Sequence, residues 1–135
     1  MSAAQFLLLA TGVHLGFQAV VTIVVYPALA NLPPQDWAAG HAAHSRRMVA
    51  VVIPVYAATL IALGWALATL EVSGPLVITA GALILVWATT AFAAAPIHHR
   101  LSIDGPTPHL LRSLRRADAV RLIGAAVACG AALFV

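Results

Sequence analysis

The sequence predicts an all-α protein: a four-transmembrane-helix bundle, up-down-up-down, with a short interfacial helix between helices 1 and 2. Three observations carry this. Four long apolar runs fill most of the 135 residues. Charged residues make up only 8% of the chain against 62% hydrophobic, where a soluble domain carries about 25% charged. Most of the few charges cluster at the loops after the first and third runs. A chain with so little charge cannot cover a globule with water-compatible surface, so lipid is its expected solvent. The whole chain, 1–135, reads as one domain, with no internal repeat and no low-complexity tract.

The spans are expected at about 6–30, 48–70, 75–95 and 117–135. A bilayer core takes about 20 helical residues to cross, and backbone polar groups in lipid must satisfy one another, which selects helices. The first run has no Lys or Arg ahead of it and is longer than the apolar stretch of a signal peptide, so it is read as a retained span. Asn31-Leu32-Pro33-Pro34 stops it. Gln35 to Ser45 is the expected interfacial helix, with Trp37 at headgroup level and a direct run into the second span as the other option. A kink is expected at Pro54, whose missing N–H frees the carbonyl of Ala50. Glu71-Val72-Ser73-Gly74 is a tight turn that makes spans 2 and 3 antiparallel neighbours, and Pro75 suits the first turn of the third. Pro96, Gly105, Pro106 and Pro108 predict an irregular third loop.

Orientation follows from the arginines. Arg46, Arg47, Arg100, Arg112, Arg115 and Arg116 flank the first and third loops, and there is no lysine. The opposite side has no basic side chain. Cytoplasmic loops collect Lys and Arg, so both arginine-rich loops are expected inside and both termini outside. The arginines are too few, and too close to membrane helices, for a nucleic-acid partner. Membrane lipids are the expected partner of Arg112, Arg115 and Arg116. The lone Cys129 excludes an intramolecular disulfide and is read as a packing residue.

Candidate chemistry gathers at the arginine-rich end. Thr11, His14, Gln18, Thr22 and Tyr26 are spaced by three and four, which puts them on one helical face. Lipid is a costly neighbour for His and Gln, so that face is expected to look into the bundle, as a pocket wall or as interhelical glue. His41, His44, Met48, Val52 and Tyr56 share a second face if the first loop is helical into span 2. Trp87 and His98 mark the end of span 3, on the same side as His44. Asp118 and Arg121 are three apart at the entry of span 4 and can pair. Imidazole is a common metal and haem ligand, but no HxxxH or HExxH spacing is present, so no metal ligand is assigned and the cofactor is left open. Gly12 and Gly16 form a GxxxG pair that suggests close helix contact and favours a homo-oligomer.

Taken in order, Tyr26-Pro27-Ala28-Leu29, the Trp37, His41, His44, Arg46-Arg47 stretch, Pro96-Ile97-His98-His99-Arg100-Leu101 and Arg116-Ala117-Asp118-Ala119-Val120-Arg121 resemble the anthrone-oxygenase-like family. These are small bacterial and fungal integral membrane proteins with four helices. The chain departs from the family in lacking a tryptophan near Asp118-Ala119. The resemblance implies a multi-pass protein of the bacterial cytoplasmic membrane that oxygenates a polyketide anthrone or another aromatic substrate.

The expectation is therefore a protein that binds a lipophilic, aromatic or quinone-like small molecule, as an oxygenase-like oxidoreductase. His44, His98 and Arg121 are the candidate catalytic groups. His14, Gln18, Tyr26, His41, Tyr56, Trp87 and Asp118 are the candidate ligand-binding residues. The alternatives are a non-enzymatic accessory subunit or small transporter component, and a haem-binding electron carrier. A reporter fused after Val135 is expected to read out on the external side, and a cytoplasmic readout would overturn this orientation.

Overall fold

The computed structural model describes residues 1–135 and is all-helical, 89% helix with no strand. Four continuous helical rods follow one another: α1 (Ala3–Ala30), α2 (Pro34–Thr69), α3 (Gly74–Asp104) and α4 (Pro108–Ala132). The first three are long and apolar enough to cross a membrane, which marks a membrane protein. Arg112, Arg115, Arg116, Asp118 and Arg121 keep α4 outside that group. At 1.5 Å per residue the 28 residues of α1 run roughly 40 Å, beyond a core of about 30 Å. The surplus length holds the polar groups of the histidine-rich end.

Local chemistry sets the helix ends. Ser2 caps α1 through a reciprocal box with Gln5. Ser73 and Thr107 cap α3 and α4 by accepting from the backbone N–H of Leu76 and Leu110. Pro75 and Pro108 sit in first turns, where no N–H is needed. Gly105 stops α3 at φ 76°, a left-handed conformation that favours glycine.

Two rods contain a wide π turn: Val21–Val25 in α1 and Thr90–Ala94 in α3. Each is followed at once by a proline, Pro27 or Pro96. A proline inside a helix lacks an N–H and clashes with the carbonyl four residues back. The wide turn relieves both conflicts and lets the rod continue. Eight residues of regular α-helix would carry Tyr26 about 80° past Gln18. The π turn brings it back, so both point into the bundle, 6% and 0% exposed.

Large apolar side chains face outward, and a set of polar ones is buried between apolar cores. Ile23, Ile53, Ile61, Ile78, Phe92 and Ile123 are exposed, while Thr11, His14, Gln18, Thr59, Thr79, Asp118 and Arg121 are buried. This inverts a soluble bundle and suits lipid around the helices. Two apolar cores lie along the axis. One holds Leu7, Leu63, Leu76, Leu83 and Ala128. The other, at the histidine-rich end, holds Val21, Leu29, Trp37, Leu101, Leu110 and Leu114. Helix α1 packs along α2 and α4, and α3 packs along α4. Helices α2 and α3 approach each other closely at only a few points.

Several expectations are corrected. The interfacial segment is not a separate helix: a 3-10 turn at Pro34–Asp36 leads straight into Trp37–Thr69, a 33-residue helix that carries Pro54 without ending. Trp37 is buried against α3, its indole donating to the carbonyl of Leu101 at 3.1 Å. Helix α3 runs on through Pro96 to Asp104, because the π turn absorbs the proline, and the irregular loop shrinks to Gly105–Thr107. Helix α4 starts at Pro108, before the expected boundary. Gly12 and Gly16 make no close helix contact, since a Cβ on either would meet nothing within 4 Å.

The close approach is at Gly124 instead, where an added Cβ would lie 2.6 Å from a methyl of Val86, a stiff and fully buried side chain. Gly124→Leu is expected to pry α4 from α3 and cost about 1–3 kcal/mol in a micelle unfolding titration. Gly12→Ala and Gly16→Ala are expected to leave stability unchanged or raised. Equal behaviour of all three variants would disprove this packing.

Candidate functional site

A layer of polar side chains separates the two apolar cores. At its centre Asp118 and Arg121 pair at 3.1 Å, one helical turn apart on α4. They are 2% and 6% exposed. Further hydrogen bonds offset the desolvation of an ion pair this deep, although Arg121 Nε is left without a partner. Gln18 Nε2 donates to the same Asp118 Oδ1 at 2.6 Å. Arg121 Nη2 also donates to the hydroxyl oxygen of Tyr26 at 2.8 Å. The guanidinium carbon lies 5.7 Å from the Tyr26 ring centre. Helices α1 and α4 are thus tied by two residues from each.

The chain of contacts continues outward. The Tyr26 hydroxyl meets His98 Nε2 at 3.3 Å, and His98 Nδ1 meets His41 Nε2 at 3.2 Å. His44 stacks on His98, ring centres 5.5 Å apart, and leans against His41 at 6.3 Å. Trp37 stacks on the other side of His41 at 5.2 Å. The His44 Nε2 atom is buried and has no partner. No group of three His, Cys, Asp or Glu side chains converges in a metal-ligating arrangement.

The open seam between α2 and α3 forms a cavity of about 230 Å³. Met48, Val49 and Val52 of α2 and Ala94 and Ala95 of α3 give it apolar walls. Tyr26, His44, His98, Thr90 and Arg121 bring polar groups to it. On the far side of His98 lies a second crevice, lined by Trp37, His41, Ser45, His98, His99 and Ser102. His98 borders both.

The expected site residues therefore divide. Tyr26, His44, His98 and Arg121 meet at the cavity. His41 and Asp118 stand behind it, each bonded to a residue that lines it. His14 and Gln18 lie deeper and do not line it. His14 is fully buried, neither ring nitrogen has a partner, and its ring lies edge-on to Tyr56 at 5.1 Å. Tyr56 is bonded to Thr90 at 2.7 Å rather than facing the cavity. Trp87 is separated from the cluster: it packs against the other core, with its indole N–H unpartnered. The residue one turn further on, Thr90, takes the cavity position. Sequence reasoning missed Thr90, Ala94 and Ala95, because the π turn that faces them inward leaves no periodic signature.

No protein-family model, no curated protein and no solved structure matches this chain. The site is read from the chain's own residues.

Asp118→Leu leaves a buried guanidinium without its carboxylate. It is expected to cost about 3–5 kcal/mol, with most of the loss recovered in Asp118→Leu/Arg121→Met. A double variant as unstable as the single one would show that the pair is not the coupled unit described.

Proposed function

We propose that this protein spans the bacterial cytoplasmic membrane four times, with both termini outside, and binds a lipophilic aromatic or quinone-like molecule between α2 and α3. The observation that carries the reading is the cavity itself: apolar walls, an opening along a helix seam, and polar groups gathered on Tyr26, His44, His98 and Arg121. Ligand sites are mostly apolar with a few placed polar groups. A ring system can enter such a seam from lipid and direct its oxygen toward Tyr26 and Arg121. The fourth span is α4, whose Asp118–Arg121 pair neutralises itself and whose remaining arginines reach the headgroups.

Our reading of the chemistry is an oxygenase-like oxidoreductase, in keeping with the resemblance to the anthrone-oxygenase-like family. Histidine and tyrosine at the cavity would handle protons, and Arg121 would face negative charge developing on a ring oxygen. A second reading is ligand binding without chemistry, as an accessory subunit. It is favoured by one observation: Arg121 Nη2 already serves Tyr26 and Asp118.

The test is equilibrium binding of anthrone and of menadione to the protein in lipid nanodiscs. Saturable binding is expected, weakened at least about tenfold by Ala94→Trp, which fills the cavity, and unaffected by Ile123→Trp on the outer face of α4. Equal, non-saturating uptake by all three proteins would sink the proposal. Oxygen consumption with bound anthrone then separates the two readings.

A further inference from the structure

His98 touches two compartments, the cavity on one side and the crevice at the histidine-rich end on the other, and of the two side chains that do so, His98 and Ser45, it is the titratable one. Its two ring nitrogens are engaged in different directions. Nε2 meets the Tyr26 hydroxyl at 3.3 Å, inward, and Nδ1 meets His41 Nε2 at 3.2 Å, outward. Imidazole can take a proton on one nitrogen while releasing another from the second, and few side chains can.

The donors around the chain restrict its states. Arg121 has no acceptor and donates to the Tyr26 oxygen, so the proton between Tyr26 and His98 belongs to one of those two. If Tyr26 donates, His98 carries its proton on Nδ1 and donates to His41. If His98 donates, His41 donates to His98 and the Tyr26 O–H is free to face the cavity. These two orders are the beginning and end of one concerted transfer. The other titratable or charged groups around His98 are His44 on α2, at ring distance 5.5 Å, and the Asp118–Arg121 pair on α4.

We propose that His98, with His41 outside it, is a proton relay between the hydroxyl of Tyr26 at the cavity and water in the outer crevice. A hydroxylated ligand gives its O–H proton to the Tyr26 oxygen. Tyr26 passes its own proton to His98 Nε2, His98 passes one from Nδ1 to His41 Nε2, and His41 releases one from Nδ1 to the crevice. One proton leaves the ligand, one reaches water, and no electron moves. The ligand's part in this rests on the function proposed above, while the relay itself is a property of the chain without ligand.

That separation makes the test independent of ligand. Tyr26 is replaced by difluorotyrosine, whose ring fluorines make its phenol intrinsically more acidic than the unsubstituted phenol of the only other tyrosine, Tyr56. The rate of its ionisation after a jump from mildly acidic to mildly alkaline pH is followed by stopped-flow absorbance in nanodiscs. His98→Ala is expected to slow it by about 100-fold, the low end of what positioned proton transfer contributes. Added imidazole is expected to restore the rate. His98→Gln can still bond to Tyr26 but cannot transfer a proton through a ring, so it is expected to be slow as well. It also decides the matter if the alanine variant does not fold. A wild-type rate in His98→Gln, or a slow His98→Ala that imidazole leaves slow, would overturn the relay. Neither result touches the binding measurement above.

Discussion

The buried pair of Asp118 and Arg121 is the constraint around which the rest of the polar layer is arranged. Two charges taken out of water cost several kcal/mol each unless their remaining hydrogen-bonding atoms are engaged. Helix α4 alone can supply only the pair. The other partners come from α1: Gln18 on the carboxylate and Tyr26 on the guanidinium. Gln18 and Tyr26 are two turns apart, and a regular helix would not present both to the same pair. The π turn at Val21–Val25, set beside Pro27, resolves this. A local backbone irregularity and a buried ion pair are therefore two sides of one arrangement.

The same device appears in α3. The wide turn at Thr90–Ala94 precedes Pro96 and is followed by His98. It faces Thr90, Ala94 and Ala95 toward α2 and carries the helix on far enough for His98 to reach Tyr26 and His41. Through it the rod passes Pro96 unbroken and His98 is helical. π turns recur at functional sites because they turn side chains without breaking the rod. Here the turn in α3 lines the cavity through Thr90 and Ala94, and the one in α1 is followed by Tyr26, which also lines it.

Much of this was legible in the sequence. The helical class and three of the apolar spans follow from hydropathy. The inward face of His14 and Gln18 follows from spacing and from the cost of polar groups in lipid, while Tyr26 stays on it only through the π turn at Val21–Val25. The meeting of His44 with His98 follows from counting membrane sides. What the sequence could not show has physical reasons. A proline reads as a helix stop, whereas α3 runs on through Pro96 by a wide turn that depends on tertiary packing. Gly12 and Gly16 have the spacing of a contact motif, but the contact depends on which face α1 presents, and the tight glycine is Gly124. Trp87 lost its expected place to Thr90, one turn away, because hydropathy does not resolve the rotation of a helix.

The arrangement of orphaned polar atoms extends the argument inward. His14 Nδ1 and Nε2, Gln18 Oε1 and Trp87 Nε1 are buried without partners on α1 and α3, deeper than the cavity, while His44 Nε2 and Arg121 Nε are unpartnered at the cavity itself. Tyr56 and Thr90, by contrast, satisfy one another in the same layer. A buried donor or acceptor left unpaired costs about 1–3 kcal/mol, and the usual remedy in a polar interior is water making two to four hydrogen bonds. The polar layer is thus held by direct bonds on the side of Asp118 and Arg121, with Arg121 Nε alone left over there, and is short of partners on the side of His14. Outward, every link from Gln18 to His41 is a direct contact. That asymmetry gives the column a direction: linked residue to residue from the ion pair to the histidine-rich end, and short of partners toward the middle of the bundle. Under the function proposed above, a ligand oxygen held at the cavity would meet the linked end of the column.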